Sequence, residues 1–315
     1  MPLLTPTPQG LYCPAGDFHI DPHRRVPRAL ITHGHSDHAY PGHAHYLATN
    51  AALPVLRHRL GRITAEGVAY NSQLTINGVT VSFHPAGHVP GSAQIRVEHR
   101  GEVWVVSGDY KTEPDGLSEP FAPIPCHTFI TECTFGLPIF QWRPDPEILT
   151  EIALWWAANA ANGKISVLAA YSFGKAQRLI TGIPPQGPIF THPAVEAVTQ
   201  ILRTQGYPIP KTTCAPPDQI PPNALVIAPP NTLTGDWSLP LPPHATAFAS
   251  GWMALSARRK GLQAAFTLSD HADFPSLNQA TRATGATQIL TTHGYTAPYA
   301  NWLQSQGHNA AELHS

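Results

Sequence analysis

The chain has 315 residues, 42 % of them hydrophobic, which is enough apolar material for one large domain or two ordinary ones. Its formal net charge is −1 and only 12 % of residues are charged, about half the usual share, so no general basic field draws nucleic acid to it and any such binding must rest on local groups. No apolar run reaches the roughly 18 residues of a membrane span, the opening MPLLTPTPQG has neither the basic nor the apolar region of a signal peptide, and the four cysteines form no C-x-x-C pair, so the expectation is a soluble, reduced, cytoplasmic protein.

Short strands fill the first 135 residues. The apolar run RALITH ends on His33, and the chain then turns through Asp37 and His38 toward an expected helix. LTINGVTVSFH sets Asn77-Gly78 between two alternating runs, the strongest short signal for a hairpin, and SAQIRVEHRGEVWVVSGDY repeats the arrangement around Arg100-Gly101. HTFITEC is a further strand. The character then changes. Residues 145–161 predict a helix with Asp145 as N-cap, Pro146 in the first turn and Gly163 past the end. KISVLAAY predicts a strand, followed by a helix from about Phe173 to Ile180; PIFTH leads into a helix from Pro193 that stops near Gly206; ALVIAP and ATAFAS are buried strands. Strands alternating with helices imply a parallel sheet, so residues 138–265 read as a separate α/β unit. AAFTLSDH, a helix from about Phe274, the strand TQILTTHGY and a last helix near Pro298 complete the chain. The 34 prolines are densest between 183 and 243, where interleaved apolar runs argue for rigid loops rather than disorder.

The stretch ALITHGHSDHAYPGH places His33, His35, Asp37, His38 and His43 within fifteen positions. Histidine nitrogens and carboxylate oxygens are the usual ligands of zinc and related ions in hydrolytic sites. At this chain's composition the pattern H-x-H-x-D-H arises by chance in roughly 0.002 of such chains, so a metal site is favoured over a histidine-rich surface loop. Further polar residues follow apolar runs, as a shared site requires: His88 in PAGHVPGSAQ, Asp109 in SGDY, Glu132 in TECTFG, His271 in LSDHAD and His293 in TTHGY. His43 and His45 read as surface or helix histidines, and His84 has no assigned role.

Taken in order, these residues resemble the metallo-β-lactamase superfamily and, within it, the β-CASP nucleases. THGHSDH, PAGHVPGS and SGDY match the superfamily motifs, Glu132, His271 and His293 match the three β-CASP motifs, YSFGKAQRL and ASGWM are similar to stretches of the β-CASP cassette, and PTPQGLYCPAGDFHIDP resembles the bacterial ligase-associated DNA exonucleases. The resemblance implies an α/β fold: an αββα sandwich from residues 1–137 and 266–315, with a β-CASP cassette, residues 138–265, inserted between them. It implies two divalent ions, zinc or manganese with iron also suited, one on His33, His35 and His88, the other on Asp37, His38 and His293, with Asp109 bridging. Asp21, in FHIDP, would orient a site histidine from behind. His271 would be the general acid and Glu132 its orienting partner.

The implied activity is a DNA exonuclease acting from a chain end in repair, with DNA ligase and helicase as functional partners. A ribonuclease of the same fold is the alternative, since a histidine at the position of His293 is common among RNA-processing members, and a small-molecule metallo-hydrolase is a further one. The helix start at Ser172 and Gly174, with Lys175 and Arg178 beside it, is a weaker candidate for phosphate contact. Basic clusters at Arg24, Arg25 and Arg28, at Arg57, Arg59 and Arg62, and at Arg258, Arg259 and Lys260 receive no role.

Overall fold

The computed structural model describes residues 2–214, 216–255 and 262–313; Arg258, Arg259 and Lys260 lie outside them. The chain divides into two compact units. One is built from the residues up to Pro114, from Ser118–Gln141 and from His271 onward; the other from Asp115–Leu117 and Trp142–Asp270.

The first unit opens with β1 (Thr5–Thr7), β2 (Gly10–Cys13), β3 (Phe18–Ile20), β4 (Arg28–Leu30) and β5 (His45–Thr49), then helix α1 (Leu53–Leu60) and β6 (Ala65–Val68). These six strands form one sheet in chain order, antiparallel up to β3 and parallel from there on. Next come β7 (Gln73–Ile76), β8 (Val79–Pro85), β9 (Ala93–His99), β10 (Glu102–Val106) and β11 (Thr128–Cys133). Asn77 and Gly78, and again Arg100 and Gly101, take successive positive φ angles of 48° and 83° and of 51° and 80°. Both positions of a two-residue type I′ turn demand this, and it is what the two hairpin signals anticipate.

The second unit supplies α2 (Asp145–Ala161), β12 (Ile165–Ala169), α3 (Lys175–Gly182), β13 (Ile189–Thr191), α4 (Pro193–Thr204), β14 (Leu225–Ala228), β15 (His244–Ala249) and β16 (Ala264–Phe266). The chain then returns to the first unit with α5 (Phe274–Ala283), β17 (Gln288–Gly294), α6 (Thr296–Ser305) and β18 (Ala310–Glu312). Here β17 inserts beside β11, giving a second sheet of order β18-β17-β11-β10-β9-β8-β7.

Strand alternation distributes the core of the first unit. Leu30 and Leu47 of the first sheet face Val81, Phe83, Val97, Trp104 and Ile130 of the second. Their chain neighbours point the other way: Ala29, Ile31, Tyr46 and Ala48 pack under Leu53 and Leu56 of α1, while Val105, Phe129 and Ile289 pack against Phe274 and Leu277 of α5 and Tyr299 and Leu303 of α6. Each sheet is thus covered on both faces, and the strand ends at one edge are left to carry polar residues.

The second unit is a five-stranded parallel sheet of order β13-β14-β12-β15-β16. Its central strand β12 is buried at every position, as a parallel strand covered on both faces must be. Here two local expectations change. Pro144 rather than Asp145 holds the N-cap position of α2, because the Asp145 carboxylate is drawn away to Arg178. Helix α3 begins at Lys175 and has no solvated face at its start: Lys175 and Arg178 are each only 3 % exposed.

The phosphate contact expected of these two cations is therefore corrected. Lys175 Nζ donates to Asp270 Oδ1 at 2.7 Å and to Leu268 O at 2.8 Å, and Arg178 donates to Asp270 Oδ1 at 2.9 Å, to Ser269 O and to Asp145. Their charge is spent inside the unit. The helix start is also occupied. Gly174, at φ +85°, donates its N–H to Gln177 Oε1, and Gln177 Nε2 donates to Ser172 O.

Candidate metal centre

The histidine-rich stretch leaves β4 earlier than its apolar run suggests. The strand is Arg28–Leu30, with Ile31 N–H still donating to Leu47 O. Beyond it the chain forms no helix. It turns back on itself, with the N–H groups of His38 and Ala39 donating to His35 O, and the first helix waits until Leu53. This tight turn carries His33, His35 and His38 toward one point.

His88 enters from the loop between β8 and β9, where Ser92 Oγ accepts from the N–H groups of His88 and Val89. Asp109 follows β10 directly after Gly108, whose φ of +55° and close approach to Thr32 leave no room for a side chain: an added Cβ would lie 2.7 Å from Thr32 Cβ. His293 comes from a bulge. In the β11–β17 ladder Glu132 pairs with Thr292 and Cys133 with Gly294, so His293 is the extra residue, at φ +53°. Bulges of this kind re-aim a side chain, and this one swings His293 out of the sheet's alternation.

Three ring nitrogens meet: His35 Nδ1 lies 3.1 Å from both His33 Nε2 and His88 Nε2. One Nδ1 cannot serve two such partners as an ordinary acceptor. The gaps are instead close to the edge, about 3.3 Å, of a tetrahedron with metal–nitrogen bonds of about 2.0–2.1 Å. Asp109 divides its oxygens between two histidine sets: Oδ2 is 3.5 Å from His33 Nε2 and 3.6 Å from His88 Nε2, whereas Oδ1 is 3.3 Å from His38 Nε2. His33, His35, His88 and Asp109 thus form one group of converging donors, and His38, Asp109 and His293 a second, the donor atoms of each group lying within 4.8 Å of one another. His38 Nε2 is buried and has no hydrogen-bond partner among the described residues. Its near neighbour Asp109 Oδ1, at 3.3 Å, makes no well-aligned hydrogen bond with it, a gap that a bound cation would fill. On these grounds the residues fit a pair of divalent ions.

Charge states agree with the geometry. Burial, reinforced by His38, pushes His33 well below the ordinary imidazole range, so it is neutral as a ligand must be. Burial works against ionising Asp109, but His38 and His271 prevail and hold its carboxyl well below the usual range. Burial likewise opposes a charged His38, yet Asp109 and Asp21 hold it well above its ordinary value, so an entering ion must displace a proton there. Asp21, at φ +43°, sits behind the centre as expected of it: Oδ2 is 2.7 Å from His38 Nδ1, and Oδ1 accepts from Thr32 N–H at 2.8 Å. The Thr32 hydroxyl donates to Asp21 Oδ2 and lies 3.1 Å from His33 Nδ1. With their Nδ1 atoms engaged, His33 and His38 present Nε2 to the centre.

Glu132 is buried in β11 and fully engaged. It accepts from Tyr110 N–H at 2.7 Å and from the Thr134 hydroxyl at 2.5 Å, and both of its oxygens lie 3.0 Å from His271 Nδ1. Although Asp109, Glu132 and His271 also converge, this saturation makes Glu132 an orienting partner of His271 rather than a free donor. His271 is half-buried, its ring 4.6 Å from that of His88.

Asp37 and His43 sit differently from the expectation. Asp37 does not join the converging donors: its side chain is 71 % exposed and Oδ2 stands 4.0 Å from His38 Nε2, at the rim. His43 is not a surface or helix residue but buried, Nδ1 accepting from Val26 N–H and its own N–H donating to the Tyr46 hydroxyl; His45 opens β5, and His84 Nε2 pairs with Ser82 Oγ. Thr32 and Thr134, which fix Asp21 and Glu132, went unremarked in the sequence because a threonine after an apolar run carries no signal of its own.

No family model matches the chain. Over 307 residues, 95 % of its length, it is 32 % identical to a protein named "Probable DNA ligase" from Opitutus terrae, of which it spans 30 %. Over 118 residues, 36 % of its length, it is 30 % identical to the proteins named Endoribonuclease YSH1 from Eremothecium gossypii and Saccharomyces cerevisiae, spanning 15 % of each. A crystal structure of a protein of unknown function from Enterococcus faecalis V583 shares the fold, with a TM-score of 0.61 over 86 % of this chain and 76 % of that one at 11 % identity. With its motifs and these relatives, the chain is a member of the metallo-β-lactamase superfamily. Within that superfamily it belongs to the β-CASP group.

Proposed function

We propose that this protein is a metal-dependent nuclease that hydrolyses DNA phosphodiester bonds from a chain end, using two divalent ions. The observation that carries the reading is Asp109, whose two oxygens face separate histidine sets beside the Glu132–His271 pair. The first set is His33, His35 and His88; the second is His38 and His293, with Asp37 able to join from the rim. Zinc or manganese suits this donor chemistry, and iron is also compatible. Ions bound there lower the pKa of water and neutralise the phosphate under attack.

The chain's own residues do the rest. Asp109 stays ionised between the histidines. Asp21 and Thr32 fix which nitrogens face inward. Glu132 holds His271 through Nδ1, leaving Nε2 to hand a proton to the leaving oxygen. On this reading residues 1–137 and 266–315 are the αββα metallo-β-lactamase sandwich and residues 138–265 the β-CASP cassette, whereas the compact units divide at Gln141 and His271. The setting is cytoplasmic DNA repair alongside ligase and helicase.

DNA is favoured by the relative named as a DNA ligase, which aligns with nearly the whole chain. The shorter matches to proteins named endoribonucleases favour a second reading, RNA cleavage by the same centre. End-labelled single- and double-stranded DNA and RNA, with a covalently closed single-stranded DNA circle, each incubated with zinc, manganese or iron, separate the two. DNA should be degraded faster than RNA and the circle spared. Faster RNA cleavage puts the ribonuclease first, and equal loss of the circle makes the enzyme an endonuclease.

A further inference from the structure

His35 differs from its neighbours in the first donor set. His33 and His88 present Nε2, at the far end of the ring, whereas His35 presents Nδ1, one bond from the ring carbon that joins the side chain. A ligand with so short an arm cannot correct for an error in its backbone by swinging the ring. Its peptide must be held in place. The residue that holds it comes from elsewhere in the fold: Arg59, in the last turn of α1, donates from Nη1 to Gly34 O at 2.6 Å, across 25 positions of sequence. Gly34 is buried and Arg59 half-buried, so this bond is sheltered from water. Arg59 thus anchors the peptide that directly precedes His35.

The neighbouring cations are used differently. Arg57 is exposed and donates to Ala65 O at 3.4 Å, an ordinary contact at the end of a helix. Favourable charge at a helix C-terminus explains a cation at either position but not the reach to Gly34. The guanidinium is planar and presents fixed donors, so it can hold a backbone carbonyl in one geometry.

We propose that Arg59 is a positioning residue of the metal centre: by fixing the Gly34–His35 peptide it sets His35 Nδ1 against His33 and His88. The inference rests on the two-ion reading above. Its test reads the metal itself. Full-length protein stripped of metal is titrated with Co²⁺, following the visible ligand-field bands and the chelator concentration needed to remove the ion. Arg59→Met, which keeps length and loses both donors and charge, should weaken Co²⁺ binding roughly 10–100-fold, the range for residues that orient ligands, and change the bands. Arg59→Lys should fall between it and the wild type, because it keeps the charge but not the fork. Arg57→Met should match the wild type.

Wild-type affinity and bands in Arg59→Met would overturn the proposal, as would equal weakening in Arg57→Met. Unchanged metal binding with poorer nucleic-acid KM in Arg59→Met would also overturn it, making Arg59 a substrate contact. A wild-type chain that takes up no Co²⁺ would remove the two-ion reading itself, an outcome distinct from a wild type that binds and an Arg59→Met that binds equally well.

Discussion

Removing one carboxylate, that of Asp270, should unfold the second unit far more readily than its size suggests. Asp270 is 9 % exposed and its Oδ1 accepts from two cations that are each 3 % exposed, Lys175 at 2.7 Å and Arg178 at 2.9 Å. In Asp270→Ala, Arg178 keeps Asp145 and Ser269 O, whereas Lys175 loses the carboxylate that meets its ammonium at 2.7 Å. A buried ammonium is then deprived of that anion. Leaving one member of a buried ion pair uncompensated costs about 3–5 kcal/mol. With a urea m-value of about 2–3 kcal/mol/M, the midpoint should fall by roughly 1–2 M. Trp155 and Trp156 lie in this unit, and Trp156 is fully buried, so fluorescence reports its unfolding. The double variant Lys175→Met with Asp270→Leu removes the orphan as well as its partner and should recover most of the loss. A single variant within about 1 kcal/mol of the wild type would refute the reasoning, because Lys175 would then have to reach solvent without resistance.

Elemental analysis of protein purified without chelators should give two divalent ions per chain, falling to one or fewer in Asp109→Ala; a fully active wild type with one ion ends the two-ion reading. His271→Ala should keep its metal yet lose roughly 10²–10⁴ in rate, much of it regained with a substrate whose leaving group needs no proton. Loss of metal in that variant would instead make His271 a ligand. Gly108→Ala should be destabilised by about 2–4 kcal/mol, combining a strained positive φ with a Cβ forced onto Thr32, and should bind metal more weakly because Thr32 holds Asp21 and His33. A stable Gly108→Ala with wild-type metal affinity would show that Thr32 can shift without moving either.

Both hairpins and the donors that meet around Asp109 were legible because each rests on a local rule: positive φ at Asn-Gly and Arg-Gly turns, and polar residues just past apolar runs. What stayed hidden depends on distant partners. Lys175 and Arg178 carry charges that look solvated until Asp270, more than ninety positions away, is seen to meet them. His43 reads as a surface or helix histidine, but Val26 and Tyr46 enclose it. The bulge at His293 leaves no mark in the sequence except Gly294, whose φ of +90° and contact with Thr134 admit no side chain. Asp37 shows the opposite limit: a motif fixes its identity, but an exposed side chain is free to adopt a position the motif does not specify.

The neighbours β11 and β17 lie side by side in the sheet, but residues Trp142–Asp270 of the second unit are threaded between them in the chain. Every donor up to Glu132 is therefore synthesised long before His271 and His293. On a ribosome the early strands can collapse with three histidines of the first set already in hand, while the acid and the last ligand have yet to be made. The donor set is completed only when β17 slides in beside β11, so a chain cut short between them carries most of the motif but not the assembled centre.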